Sequence, residues 1–240
     1  MDLTHYRAEL ETQGFTIISA LFNDNEIGAI ASVIESADTS GVAFRRSASL
    51  FAIRQFLKEI PEVLPLLLNA TFKKVIASVF GNAHYIVKSI YFDKPGESNW
   101  FVAYHQDLTI AVDQRTDTEG FGPWTIKQGQ FAVQPPLQIL QNSYTIRIHL
   151  DDTDQDNGAL KVIPRSHLKG IYRPETIDWA TENEVSCNVS KGGIMIMKPL
   201  LLHSSGRTVN NARRRVIHIE FSASQLPEPL QWAEKINLHP

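Results

Sequence analysis

The residues best suited to hold a reactive metal lie in one stretch, Tyr104-His105-Gln106-Asp107, preceded by the aromatic-flanked run Trp100-Phe101-Val102-Ala103. In a strand, side chains two apart project to the same face. His105 and Asp107 would then point together, with Gln106 turned away. One imidazole and one carboxylate are two thirds of a facial metal site. The third ligand is expected from a distant, facing strand. His203, in Pro199-Leu200-Leu201-Leu202-His203-Ser204-Ser205-Gly206, is the candidate. Two His and one carboxylate with open positions suit Fe(II) that activates oxygen. By itself, His-x-Asp is more often a strand-edge histidine beside a solvated carboxylate.

What sets this pair apart is Arg214, eleven residues after His203, in Arg213-Arg214-Arg215-Val216-Ile217-His218-Ile219-Glu220-Phe221. With Asn157-Gly158-Ala159-Leu160-Lys161-Val162-Ile163-Pro164-Arg165-Ser166-His167, the chain resembles the phytanoyl-CoA dioxygenase family, which includes ectoine hydroxylase. That family has His-x-Asp, an Asn-Gly-x-Leu-x-x-x-Pro-Gly-Ser-His segment, a distal His after an apolar run, and an Arg about eleven positions later. Arg165 stands where Gly is usual. The resemblance spans residues 84–222, less clearly the N-terminal part. It implies Fe(II) held by His105, Asp107 and His203, with 2-oxoglutarate and O2 as cosubstrates. It also implies a salt bridge from Arg214 to the distal carboxylate of 2-oxoglutarate. Halogenases of the same fold usually carry Gly or Ala in place of the carboxylate, and Asp107 speaks against that chemistry.

The planar guanidinium of Arg214 suits a carboxylate because it donates two parallel hydrogen bonds. Ser205, two residues after His203, is placed to bind the same cosubstrate or to serve as a turn hydroxyl. Lys88 and Arg147 are mid-strand cations that could face a cavity and meet an anionic cosubstrate or substrate. Arg213 and Arg215 read as strand-edge charges, and His149, His167 and His218 as hydrogen-bonded structural residues. The polar run from Asp151 to Gly158 superficially suggests calcium. Val162 stands where an EF-hand loop needs its Glu, so a solvated turn is expected.

Elements that would position these groups follow from the chain. Residues 4–13 form a helix with Thr4 as N-cap and Gly14 as its stop. Phe15–Ile18 is a strand, and Asn23 opens a second helix with Ile27, Ile30, Ala31 and Ile34 on one face. Leu50–Phe80 reads as helices broken at Pro61 and Pro65. From His84 the period changes to that of strands: 84–92, a polar turn over 93–99, the His-x-Asp strand, then 143–151, 158–163, 185–189, 192–197 and 213–222. Strands 144–151 and 213–221 each have one apolar face and one mostly polar face. Either the polar faces meet water, or they line a barrel while the apolar faces meet the helices; the resemblance implies the second. The fold class is mainly β with α: a double-stranded β-helix (jelly roll, cupin-like) covered by N-terminal helices. It is read as a single domain over 1–240, with helical cover in 1–82 and the jelly-roll core in 83–225. The segment Val112–Asn142 lies between confident strands and is expected to be a lid over the site, with Phe121 and Trp124 touching the substrate; residues 130–134 read equally well as a strand.

The chain has 240 residues, 43% hydrophobic and 20% charged, so it can bury a sizeable core. A net charge of −3 gives no general case for nucleic acid or anionic membrane. Cys187 is the single cysteine, which excludes an internal disulfide and fits a cytoplasmic setting. No secretory signal is visible, and the longest apolar run falls far short of the ~20 residues of a spanning helix. The expected activity is hydroxylation of a small-molecule metabolite with release of succinate and CO2. A zinc hydrolase on the same ligands, or a jelly roll that binds metal without catalysis, stays open. Substrate and oligomeric state are undetermined; nothing specifically marks a CoA ester.

Overall fold

The computed structural model describes residues 3–38, 44–47, 50–96, 100–127 and 129–238. In chain order, α1 (Thr4–Gln13), β1 (Phe15–Ile18) and α2 (Asp24–Ser36) come first. The hairpin of β2 (Phe44–Ser47) and β3 (Leu50–Arg54) follows, then α3 (Phe56–Glu59), α4 (Val63–Leu67) and α5 (Ala70–Phe80). Strands β4 (Tyr85–Lys94), β5 (Val102–His105), β6 (Ile110–Val112), β7 (Trp124–Lys127) and β8 (Gln130–Val133) precede α6 (Leu137–Gln141). The chain then adds β9 (Ser143–His149), β10 (Leu160–Val162), β11 (Val185–Cys187), β12 (Ile194–Met197), β13 (His203–Ser205) and β14 (Arg214–Ser222). These make an antiparallel jelly roll. The major sheet runs β1-β12-β9-β14-β4-β3-β2 and the minor sheet β11-β10-β13-β5.

The two-faced strands resolve as a barrel wall. Ile146 and Ile148 of β9 and Ile217, Ile219 and Phe221 of β14 share one buried cluster with Ile27 and Ile30 of α2 and Phe72 and Val75 of α5. Their polar neighbours, Arg147, Arg214 and His218, face the opposite way, into a cavity. The helices therefore cover the outside of the major sheet and leave its charged face for the interior. Helix α2 starts where a capping box predicts: Asn23 accepts from Glu26 N, and Glu26 accepts from Asn23 N.

Four expectations about elements need correction. Thr4 is not a cap: Leu3 holds that position without a side-chain bond, while Gly14 does end α1, at φ 87°. Residues 50–54 are a strand paired with β4, Phe51 opposite Asp93 through Arg54 opposite Ile90. Short apolar runs do not distinguish helix from strand, and here the edge of β4 decides. With β1 and β2 this puts three strands of the major sheet inside the segment expected to be helical cover. Pro65 breaks nothing, because it sits in the first turn of α4, where no intrahelical N–H bond is lost. The polar turn expected over 93–99 starts late, since β4 runs to Lys94; residues 97–99 lie outside the described residues.

The segment expected to be a lid is largely folded. Strand β8 is central to a three-stranded sheet, with β6 and β7 on its flanks. Val112, Val133 and Leu140 belong to a separate buried cluster, joined by Phe121, Trp124 and Phe131. The strand allowed for residues 130–134 forms as β8, whereas β6 and β7, of three and four residues, carry too little alternation to be read from a sequence and are defined by their pairing. The amides of β8, paired on both sides, are expected to be protected from hydrogen exchange in the ligand-free protein. Fast exchange across 110–133 would restore the picture of an open loop.

Candidate metal and cosubstrate site

Register brings the two histidines together. Strands β5 and β13 pair so that His203 lies directly opposite His105, with ring centroids 4.2 Å apart. His105 Nδ1 donates to Ala103 O at 2.9 Å and His203 Nδ1 to Leu201 O at 2.8 Å. Those bonds fix the tautomer and leave both Nε2 lone pairs for a cation. Asp107 does not continue β5 as the strand argument required: β5 ends at His105, and Asp107 follows an irregular step. It still converges, with Oδ1 3.9 Å from His105 Nε2 and Oδ2 3.9 Å from His203 Nε2. One ligand atom from each of the three residues lies within 4.8 Å of the others.

Gln106 is what holds that step. Turned away from the ligands as expected, it is buried and donates to Leu200 O at 2.6 Å and Gly170 O at 2.9 Å. Its Oε1 accepts from Tyr172 N at 2.8 Å, and Asp107 N donates to Pro199 O at 2.9 Å. This positioning role was not visible in the sequence, because a glutamine between two ligands carries no signal of its own.

Electrostatics favour a cation here. Burial would raise the Asp107 carboxyl, but His203, His218, Lys88 and His105 around it hold it well below the usual carboxylate range. Burial pushes His203 down to about 4, against the pull of Asp107, so the ring is neutral near pH 7. Asp107 Oδ2 is buried with no hydrogen-bond partner. Two neutral imidazoles offering Nε2 and one unpaired carboxylate oxygen are a donor set that fits Fe(II).

A cavity of about 300 Å3 extends from these ligands between the sheets, and Arg214, Ser205, Arg147 and Lys88 all line it. Arg214 is buried and donates through Nη1 to Gly158 O, while its Nε has no partner. Ser205 Oγ donates to the same carbonyl at 2.9 Å. Burial, with Arg147 nearby, lowers Arg214 to about 9, still charged at neutral pH. Arg147 is pushed down to about 10 by burial, opposed by Asp107, and its Nε is likewise unpaired. Arg213 and Arg215 lie on the other side of β14 and pair with Asp93 and Asp151.

His218 is hydrogen-bonded as expected, and with Glu220 it extends this network. Arg147 Nη1 donates to His218 Nδ1 at 3.2 Å, and His218 Nε2 to Glu220 Oε1 at 3.1 Å. Glu220 also takes Lys88 Nζ at 2.5 Å. Asp107, His218 and Glu220 form a second group with metal-ligand spacing, but Glu220 is already committed to Lys88. The alternation Arg214-Val216-His218-Glu220 was the signal for this wall, once its face was known to be interior.

Phe121 and Trp124, expected to touch the substrate, are partly buried against the apolar cluster of the small sheet, and neither is among the residues lining the two cavities beside the metal ligands. Thr125, Gln130 and Ala132 of the same hairpin face the site instead. The motif residues behave as their chemistry requires. At Gly158, φ is 86°, and an added Cβ would lie 2.7 Å from Gly206 O and 2.8 Å from Lys94 Nζ. Arg165 has φ 69°, a left-handed position that explains why glycine is usual there. His167 is structural, bonded to Glu11 O, and the 151–158 turn is held by Asp154 and Asn157.

The sequence profile described as phytanoyl-CoA dioxygenase (PhyH) matches residues 10–216. The chain belongs to the phytanoyl-CoA dioxygenase family. With the family come the class, an oxidoreductase, and its requirements: Fe(II), 2-oxoglutarate and O2. No curated protein sequence matches the chain. Solved structures share the fold at low identity. EctD from S. alaskensis has 16% identity and a TM-score of 0.71, covering 94% of this chain and 79% of its own. AviO1 from Streptomyces viridochromogenes Tue57 has 18% identity and a TM-score of 0.65, covering 94% and 97%. The non-heme alpha ketoglutarate dependent carbocyclase SnoK has 14% identity and a TM-score of 0.65, covering 91% and 83%. Among the described residues no helix is long and apolar enough to cross a membrane.

Proposed function

We propose that this protein hydroxylates a small-molecule metabolite, with His105, Asp107 and His203 as the iron ligands and the cavity behind them as the 2-oxoglutarate site. The observation that carries the reading is a set of buried, unpaired polar atoms on one cavity: Asp107 Oδ2, Arg147 Nε and Arg214 Nε. Buried polar groups are normally satisfied. Here the ligand end asks for a cation and the far end for an anion.

Arg214 would grip the distal carboxylate of 2-oxoglutarate with Ser205 beside it. Arg147 and Lys88, nearer Asp107, would face the end of the cosubstrate at the metal. Bound together, iron, 2-oxoglutarate and O2 supply the oxidant for a C–H bond, and succinate and CO2 are released. The chain's own work is to hold each Nε2 lone pair toward the centre, aim the diacid along the barrel, and keep bulk water out. Pairing of β1 with β12 and of β3 with β4 supports treating residues 1–240 as one catalytic domain. A single buried thiol suits a reducing cytoplasm.

The test is succinate release from 2-oxoglutarate by the purified protein with Fe(II) and ascorbate, run against pooled metabolites. Succinate coupled to gain of one oxygen atom in a metabolite is the expected result. Hydrolysis with added zinc and no succinate would support a hydrolase on the same ligands. No turnover with either metal, despite iron binding, would leave a metal-binding jelly roll.

A further inference from the structure

We propose that Gln130 selects the substrate by donating its amide N–H to an uncharged oxygen, so that the substrate is a neutral molecule carrying a carbonyl or hydroxyl group. This rests on the cosubstrate reading above and deepens it by naming a substrate class. The metal ligands open onto two cavities. The one assigned to 2-oxoglutarate has Arg147, His203, Ser205 and Arg214 on its wall. The other, about 290 Å3, is bordered by His105 and Asp107 but by none of those four. A diacid held by Arg214 leaves this second chamber for the substrate.

Its far wall is the small sheet, and strand alternation decides what that wall presents. Ala132 of β8 lies opposite Ala111 of β6 and Thr125 of β7, with Gln130 two residues away on β8. Residues two apart share a face, and Ala111, Thr125, Gln130 and Ala132 all line the chamber. Phe131 and Val133 turn the other way, into the apolar cluster behind. The two alanines leave room for a ligand, and the two polar side chains are what it meets on this wall.

Gln130 Nε2 is buried and, among the described residues, has no acceptor. Buried polar groups are normally satisfied, and an unmet donor carries its full desolvation penalty. The group that would meet it is an acceptor oxygen on the ligand. The cations bordering the chamber are not free to take an anion: Lys88 is held by Glu220 at 2.5 Å, and Arg54 has a partner of its own. A carboxylate bound here would lose its water and gain a neutral N–H, which offsets little of the cost of burying a charge. A carbonyl or hydroxyl oxygen needs no more than that N–H. The hydroxyls of Thr109 and Thr125 line the same chamber and can serve a second polar group. An oxygen fixed on Gln130 would place neighbouring C–H bonds on the side of the chamber that His105 and Asp107 border.

The experiment uses the full chain loaded anaerobically with Fe(II) and 2-oxoglutarate, with saturation-transfer NMR as the readout. The probes share one ring: cyclohexanone, cyclohexanol, methylenecyclohexane and cyclohexanecarboxylate. The ketone or the alcohol should bind saturably, roughly fivefold or more tighter than the hydrocarbon, which leaves the Gln130 donor unmet. Whichever of the two binds more tightly identifies the oxygen as carbonyl or hydroxyl. Gln130→Glu, nearly isosteric but without the donor, and Gln130→Leu should both remove the preference over the hydrocarbon. Ala132→Leu, which fills the chamber, should weaken every probe. The proposal is overturned if no probe binds, if the oxygen gives no advantage, or if the carboxylate binds more tightly than both neutral oxygen compounds. It is equally overturned if the preference survives in both Gln130 variants. Equilibrium dialysis of 2-oxoglutarate is run separately on each protein. Its failure in the wild type counts against the cosubstrate reading, while the ketone-to-hydrocarbon ratio on protein loaded with Fe(II) alone still reports on Gln130.

Discussion

His203→Ala is expected to abolish substrate-dependent turnover and strip most of the iron. His203 is the buried member of the ligand set, 5% exposed, and its register partner is His105 itself. Loss of its Nε2 leaves one imidazole and one carboxylate. Outer-sphere partners of a metal site are typically worth 10–100-fold in affinity, roughly, and a direct ligand should cost more than ~100-fold. The fold should tolerate the change. The ring borders an existing cavity, is neutral near pH 7, and gives up one bond to Leu201 O. Iron content by metal analysis, beside an unchanged thermal midpoint, is the deciding pair of measurements. Full iron occupancy would remove His203 from the ligand set. A collapsed midpoint would make the iron loss uninformative, and His203→Gln, which keeps most of the side-chain volume, would then replace it.

Arg214→Ala should leave iron in place and cripple 2-oxoglutarate binding. Truncating one partner of a buried, charge-assisted pair costs about 2–5 kcal/mol, which is roughly 30-fold to several thousandfold in Kd. Part of that loss is local, since Gly158 O loses the Arg214 donor and keeps only Ser205. Arg214→Lys separates charge from geometry: an ammonium restores the charge without the fork, so its affinity should fall between wild type and the alanine variant. Isothermal titration of 2-oxoglutarate into the iron-loaded protein, without oxygen, reads both variants. An unchanged Kd in Arg214→Ala would shift the distal carboxylate to Arg147 or Lys88, which line the same cavity. Arg213 is no alternative, because it is bound to Asp93 on the other side of the strand.

Several features were legible from residue types and spacing. Ile27, Ile30 and Ile34 at helical spacing, with the Asn23 cap, specify α2, and all three isoleucines are buried. Alternation in 144–149 and 214–221 specifies two-faced strands. Such local patterns survive folding because they express backbone periodicity and which face can be desolvated. His105, Asp107, His203 and Arg214 stood out because their order and spacing match a family whose chemistry needs all four, and the structure brings all four to one cavity.

Whatever depends on which strand lies beside which was decided only in three dimensions. Residues 50–54 became a strand because β4 offered an edge. The run after Val112 became a sheet because β8 found partners on both sides. In that arrangement Phe121 and Trp124 pack, partly buried, against the apolar cluster, and Thr125 and Gln130 line a cavity beside the metal ligands. Likewise Lys88, Glu220, His218 and Arg147 form one network only because β4, β14 and β9 are neighbours in register. A sequence records the side chains on each strand and their alternation. It does not record the long-range register that decides which charges share a dry cavity, and a charge's partners there determine its pKa and its use.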